Sequence, residues 1–242
     1  MNSRFEEIYV DLKGYIQKGR YSRGDMLPSE NQLASRYQVA RNTVRRAFAL
    51  LVQDGYVQPV KGKGVTVIYD QPNKQNIFTM DGIETFGELA RGSNKKLLTK
   101  VRVLKEMVCD EELSRITEFD RGSELIYIER IRVIDGLSLI LDTNIYLKSE
   151  VPGLTREIAE NSIYEYIEKE LGMVITLSKR SITAERATQK DKDLLDLKEY
   201  DFLAVVTGRV FNAGGVMFEY TQSRHRPDYF CFTSNSLRHG RK

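Results

Sequence analysis

The stretch from Leu27 to Gly64, LPSENQLASRYQVARNTVRRAFALLVQDGYVQPVKGKG, constrains the fold more than any other. It reads as two short helices separated by a tight turn, followed by a two-stranded hairpin. Leu27, Leu33 and Tyr37 supply apolar contacts, and Ser29 after Pro28 is placed to cap the first helix through its hydroxyl. Gln38-Val39-Ala40 does no more than turn the chain. From about Arg41 to Asp54 a second helix sets Val44, Phe48, Leu51 and Val52 on one stripe, and Gly55 suits a left-handed cap. The other face of that helix opens with Arg41, Asn42, Thr43, Arg45 and Arg46. In a helix-turn-helix the first residues of the second helix meet base edges in the major groove, where an arginine fork matches guanine O6 and N7. Thr43 and Asn42 suit phosphates or base edges. Strands at Tyr56–Val60 and Val65–Ile68 flank Lys61-Gly62-Lys63-Gly64, a cationic turn without bulk that suits a minor groove or the phosphates. A solvated charged helix beside a plain glycine turn explains any one of these residues, but not the ordered series.

The order of these motifs, a basic N-terminal helix, LPSE, RNTVRRA, DGY and the KGKG turn, resembles the GntR family of bacterial winged-helix regulators over residues 1–70. The resemblance implies a homodimer on double-stranded DNA with a palindromic operator. Carried over by position, the contacts it implies are Ser29, Glu30 and Asn31, then Arg41, Thr43 and Arg45, then Lys61 and Gly62. Asn42, Arg46 and Lys63 join them on the residue argument above.

Composition agrees with a soluble globular chain: 41% hydrophobic and 29% charged residues. No apolar run suffices for a membrane span and no signal-peptide core opens the chain, so a cytoplasmic protein without membrane association is expected. Cys109 and Cys231 sit in no CxxC or metal-type cluster, so reduced thiols and no metal site are expected. Residues 1–70 hold eleven Lys/Arg against seven Asp/Glu, an excess of four, so the rest nets −1 of the overall +3. The basic excess belongs to the head, as phosphate binding requires.

Phe5 to Lys18 carries Ile8, Tyr9, Leu12, Tyr15 and Ile16 on a helical stripe, with Tyr9 read as core and a phosphate contact as its alternative. Tyr69 to about Asn76 is polar, holds Pro72 and lacks periodicity, so residues 71–79 are taken as a linker. Alternation then predicts strands at Leu97–Leu104, Leu125–Val133 and Ser138–Tyr146, the last two joined by an Asp135-Gly136 hairpin turn. Further expectations are a helix at Asn161–Leu171 capped by Ser162, a strand at Ile175–Ala187 and a short helix at Asp191–Leu197. A hairpin of Phe202–Phe211 and Val216–Ser223 turns at Ala213-Gly214-Gly215, and Phe230–Thr233 is expected to close the sheet. The fold class is α+β: a winged helix-turn-helix at residues 1–70, then an antiparallel-sheet domain at 80–237, with a tail at 238–242.

Arg130 and Arg132 lie two apart on a strand and point to one face, among apolar neighbours. Paired guanidiniums facing inward are costly unless an anion neutralises them, and a sugar phosphate supplies one with bidentate geometry. The alternative is an exposed or salt-bridged face of an edge strand, with Glu129 and Asp142 as partners. Ser162 and Tyr164 stand at a helix start, which favours anions; a cap and a core aromatic are their other readings. Asp142 and Glu219, each on a strand, are candidates for sugar hydroxyls, and Glu185 and Arg224 are either pocket or surface residues.

Residues 80–235 resemble the ligand-binding half of the HutC-type branch of GntR regulators, whose fold is shared with chorismate lyase, with SIYEYIE as a specific piece. DGIETFGELA, NSIYEYIEKELG, DLLDLKEYD and YTQSRHRPDYF look like the trehalose operon repressors within that branch. The resemblance implies a repressor released from DNA by trehalose 6-phosphate, with no cofactor. It assigns Arg130, Arg132, Ser162 and Tyr164 to the phosphate, and Asp142 and Glu219 to the sugar. A loop near Thr79–Phe86 is implied to close over the phosphate, with Thr85 and Phe86 as contacts. At His225 sugar-responsive relatives often have Tyr, whereas the trehalose-type subgroup accommodates His. Two other readings stand beside this one: the same architecture answering an amino-sugar phosphate or an imidazole acid, and an enzyme. Only the lyase-like fold suggests an enzyme; no Ser/His/Asp, Cys/His or metal constellation is legible, and fold does not carry function.

Overall fold

The computed structural model describes residues 3–70 and 95–232, which form two compact units. In the first, helix α1 (Arg4–Gln17) is capped by Ser3, whose backbone N–H donates to Glu6 at 2.7 Å. Helix α2 (Glu30–Tyr37) starts at Ser29, where the Ser29 hydroxyl accepts from the Gln32 N–H and the Gln32 side chain accepts from the Ser29 N–H. This reciprocal pair satisfies two donors that the first turn leaves orphaned. Gln38 then takes a left-handed conformation (φ 52°), which ends α2 and aims the chain into helix α3 (Arg41–Gln53). At the far end Gly55 (φ 74°) follows α3, with the Tyr56 N–H reaching back to the Leu51 carbonyl.

Burial follows the helical stripes. Ile8, Leu12 and Ile16 from α1 meet Leu33 from α2 and Val44, Ala47, Phe48 and Leu51 from α3 in one core, closed by Val57 and Val67. Val52, expected on that stripe, is only partly buried beside it. Strands β1 (Val57–Val60) and β2 (Gly64–Val67) pair antiparallel, and Lys61, Gly62 and Lys63 stand exposed at their tip. Tyr9 packs against the core and its hydroxyl donates to Asp54, tying α1 to the end of α3.

The second unit is a six-stranded antiparallel sheet of β3 (Leu97–Val108), β4 (Glu124–Ile134), β5 (Leu137–Leu147), β6 (Ile175–Arg186), β7 (Phe202–Asn212) and β8 (Met217–His225), in the spatial order β3-β4-β5-β8-β7-β6. Asp135 and Gly136 both take positive φ (50° and 86°), as the two-residue turn between β4 and β5 requires. Helix α4 is Glu111–Thr117 and α5 is Arg156–Glu160. Helix α6 begins at Ile163–Glu165 and runs on through a wider π-type turn at Tyr166–Glu170. Helix α7 is Gln189–Leu194. Ile163, Ile167 and Ala159 from α5 and α6 pack on Val101, Ile126, Ile128 and Tyr146, covering part of one sheet face. The other face carries Ile131, Val133, Leu141, Leu203 and Val205 against Leu195 and Leu197, which follow α7.

Several expectations change. Among the described residues the chain after β8 does not return to the sheet: Pro227–Tyr229 forms one 3-10 turn, and Phe230, Cys231 and Phe232 follow it outside any strand. The cause is local. Pro227 brings no N–H, and the buried Arg226 forks onto Asp228 two residues on (2.7 and 3.1 Å), curling the backbone. The short helix expected at Asp191–Leu197 begins and ends earlier, because Thr188 and Asp191 form a reciprocal cap and Leu195 is extended. Helices α4 and α5 are additions, too short to show a period and marked by their caps Asp110 and Thr155. The linker 71–79, the tail 238–242, Thr85, Phe86 and Thr233 lie outside the described residues.

Candidate nucleic-acid interface and anion pocket

On the head, Arg41, Asn42, Arg45 and Arg46 are exposed and Thr43 is half-buried at the start of α3. Ala40 offers no side-chain cap there, and no acidic residue occupies the first turn, so the helix start is open to anions. Glu30, at the start of α2, organises two of the arginines. Its carboxylate accepts from Arg45 Nε (3.2 Å) and Nη2 (2.9 Å) and from Arg41 Nη2 (3.4 Å). The bond from Arg45, opposed by slight desolvation, holds the Glu30 pKa below its ordinary value. Two guanidiniums are thus pre-aimed by one carboxylate while staying open to solvent. Arg46 has a different setting: its guanidinium lies 3.9 Å from the centre of the Phe5 ring, which joins it to the packing of α1. Ser29 is engaged as a cap, and Asn31 is exposed beside it. Lys61, Gly62 and Lys63 occupy the exposed hairpin tip, with Gly62 at φ 76°.

On the sheet, strand period and register bring one set of polar side chains to a single face. Arg130 is opposite Asp142, Asp142 opposite Ser223, Asn144 opposite Thr221, and Tyr146 opposite Glu219. Arg130, Arg132, Asp142, Asn144 and Glu219 are all buried. β4 is an inner strand, so the arginines do not lie on an exposed edge, but the salt-bridged part of that alternative, with Asp142 as partner, holds for Arg132. Arg132 Nε donates to Asp142 Oδ2 at 2.7 Å and its Nη1 to Thr99 Oγ1 at 2.6 Å. Burial and the neighbouring Arg130 push the Arg132 guanidinium down to about 10. Burial also opposes ionisation of Asp142, but Arg132, Arg130 and the Ser223 hydroxyl outweigh it and hold its pKa below the ordinary value. Glu129, the other carboxylate considered for these arginines, is ion-paired instead with Arg102 and Lys190.

Arg130 is placed differently. Its Nη2 donates to Asn144 Oδ1 (2.8 Å) and its Nη1 to the Ala159 carbonyl (3.3 Å), while its buried Nε has no hydrogen-bond partner. Among the described residues no carboxylate forms an ion pair with it. Its hydrogen bonds thus go to neutral acceptors, and its charge meets the carboxyl groups of Asp142 and Glu219 through space alone.

Glu219 accepts from Tyr164 Oη (2.6 Å) and Asn144 Nδ2 (2.8 Å), and from Tyr146. Burial raises its pKa despite these donors. Tyr164 is thereby brought to the cluster, whereas the Ser162 hydroxyl accepts from the Glu165 N–H at 3.2 Å as a helix cap. Arg224 and Glu185 pair with each other (2.6 Å) and Arg224 also with Asp191 of α7, on the opposite face from this cluster. The parity of β8 explains this: Ser223 and His225 face the cluster, and Arg224 between them cannot. Asn144, Tyr146, Thr99, Thr221 and Ser223 also contact this cluster, and none of them was among the residues expected there. The alternation of Asp142, Asn144 and Tyr146 along β5 was a legible signal for two of them; the Thr99 contact needs the register with β3.

His225 is buried opposite Ile140, with its ring 5.1 Å from that of Phe230. Burial pushes its pKa down from 6.5 to about 4 against the pull of Asp142, so the imidazole is neutral at pH 7. The unfolded chain then takes up a proton near pH 6.5 that the folded chain refuses until about pH 4. Its contribution to stability is therefore complete above pH 6.5 and lost as pH falls towards 4, by about 3 kcal/mol in all. In urea titrations between pH 7 and pH 4.5, His225→Gln is expected to lose less stability than the native chain; equal slopes would remove His225 as a source of acid sensitivity.

Comparison with known proteins follows the same division. Residues 4–67 match the bacterial regulatory proteins, gntR family, and residues 92–231 match the UTRA domain. The chain is 38% identical over 237 residues to the HTH-type transcriptional regulator TreR of Bacillus subtilis (strain 168), covering 98% of each. The solved structure of possible transcriptional regulator YydK from Bacillus subtilis superposes with a TM-score of 0.79 over 98% of this chain and 100% of that one, at 22% identity, a likeness of fold alone. The effector binding domain of the B. subtilis trehalose repressor TreR is 39% identical, with a TM-score of 0.55, over 59% of this chain and 99% of that one.

Proposed function

This chain belongs to the GntR family of bacterial transcriptional regulators, with a UTRA domain after its winged helix, and we propose that it represses a trehalose-utilisation operon and releases its operator on binding trehalose 6-phosphate. The observation that carries the phosphate is Arg130, buried with a partnerless Nε and only neutral acceptors. A phosphoryl oxygen on that Nε completes the fork, and Arg132 adds a second cation already fixed by Asp142 and Thr99. Asp142 and Glu219 line the same face and suit hydroxyls of a sugar, with Tyr164 beside them. The disaccharide rests on the likeness to TreR of Bacillus subtilis and to the effector domain of the trehalose repressor.

On DNA, Arg41 and Arg45 read base edges from the start of α3, and Lys61 and Lys63 of the hairpin neutralise phosphates. A homodimer places two such heads one helical turn apart on a palindrome, and effector binding spoils that spacing. The coupling is reciprocal, so operator DNA weakens effector binding by the factor by which effector weakens DNA binding.

The test is fluorescence anisotropy of the protein on its own upstream DNA at one fixed salt concentration, since affinity depends steeply on salt. Trehalose 6-phosphate is expected to release the DNA, and free trehalose and glucosamine 6-phosphate are not. Release by glucosamine 6-phosphate alone would replace the sugar assignment with an amino-sugar phosphate, whose ammonium Asp142 and Glu219 also suit.

A further inference from the structure

Arg130 and the Glu219 carboxyl group share one buried face, yet their hydrogen bonds go to other partners. Asn144 stands between them. Its Oδ1 accepts from Arg130 Nη2 at 2.8 Å, while its Nδ2 donates to Glu219 Oε1 at 2.8 Å and to Thr221 Oγ1 at 3.0 Å. The chemistry of the neighbours sets the orientation of the amide, because a guanidinium only donates and a carboxylate accepts. Asn144 is itself buried and is held by three strands, since Arg130, Asn144 and Thr221 lie on β4, β5 and β8. No other residue type of that size offers an acceptor on one side and donors on the other.

We propose that Asn144 is a positioning residue that insulates Arg130 from Glu219 and so keeps the Arg130 charge available for an anionic ligand. The proposal rests on the reading of this face as a phosphorylated-effector pocket and adds the residue that keeps it receptive. Without the amide, the low-dielectric interior favours direct collapse of Arg130 onto Glu219, an internal ion pair that competes with the phosphate. The same step withdraws Glu219 from the sugar, so one residue maintains both halves of the pocket. A side chain that serves packing alone would lose affinity when truncated whatever the charge at position 219.

The test is therefore a double-mutant cycle. Trehalose 6-phosphate, and separately inorganic phosphate, are titrated calorimetrically into the full-length native chain, Asn144→Ala, Glu219→Gln and the double variant. Loss of a charge-assisted contact to the anion predicts that Asn144→Ala weakens binding about tenfold or more when Glu219 is present. In the Glu219→Gln background, where position 219 offers Arg130 no carboxylate, the same change is expected to cost less than about threefold. Inorganic phosphate follows the same pattern without a sugar to confound it. Equal losses in both backgrounds would overturn the insulating role and leave Asn144 as packing. If the native chain binds neither probe, the pocket reading itself fails and takes the proposal with it. Asn144→Ser, too short to span both partners, replaces the alanine variant if effector-free DNA binding shows that Asn144→Ala has unfolded.

Discussion

Arg45→Ala is expected to weaken operator binding by one to two orders of magnitude, from the loss of about 1–3 kcal/mol of bidentate readout. The fork is already aimed before DNA arrives. Arg45 places Nε and Nη2 on the Glu30 carboxylate, which leaves the rest of the guanidinium outward in solvent. Less side-chain freedom then remains to be lost on docking. Arg45→Lys is expected to restore little, because an ammonium carries the charge without the planar fork. Measuring the operator against unrelated DNA over a salt series separates the two roles a cation can play. A base contact lowers specific affinity and leaves the slope of log K against log salt nearly unchanged, whereas a phosphate contact lowers affinity for both DNAs and reduces the slope by about one. Unchanged operator affinity in Arg45→Ala would remove this residue from the interface.

Arg130→Met is expected to abolish induction while leaving effector-free operator binding intact. The physical argument predicts an unusual pairing of effects. In the effector-free protein Arg130 is a buried cation with a partnerless Nε, so an apolar side chain of similar length removes a desolvation cost, set against the Asn144 and Ala159 acceptors it strands. The two effects oppose each other, so the effector-free melting temperature is expected to change little. The native chain gains apparent stability from trehalose 6-phosphate by mass action, about 2.7 kcal/mol at a hundred times Kd, and Arg130→Met is expected to gain none. A stable variant that no longer responds to ligand is the signature of a group kept for binding at the expense of the free protein. A normally inducible Arg130→Met would falsify the pocket assignment. A variant that melts early and also loses DNA binding would instead make Arg130 structural.

The head was legible in the sequence because its signals are local. The Ser29 cap, Gly55, and the stripe of Val44, Phe48 and Leu51 each lie within one or two helical turns, and helix caps and periods depend on neighbours at that range. The Asp135-Gly136 turn is local in the same way, and it set the β4–β5 hairpin. Even the shared face of Arg130 and Arg132 was legible from their spacing, since a strand has only two faces.

What the chain order does not contain is which strand lies beside which, and what covers each face. Asn144 touches Thr221 and Glu219, more than seventy residues away in sequence, only because β8 lies next to β5. Arg224 and His225 are adjacent in sequence, yet register and the packing of α7 pair one with Asp191 on one face and bury the other against Phe230. The closing strand at Phe230 failed for the same kind of reason: its alternation was adequate, but the Arg226 fork onto Asp228 turned the chain first. By itself, then, the sequence determined the winged head, the hairpins and the arginine pair, because these follow from backbone geometry over a few residues. Tertiary structure decided which polar groups share one buried face of the sheet and which of them pair, because burial and charge pairing belong to strands that meet only after folding.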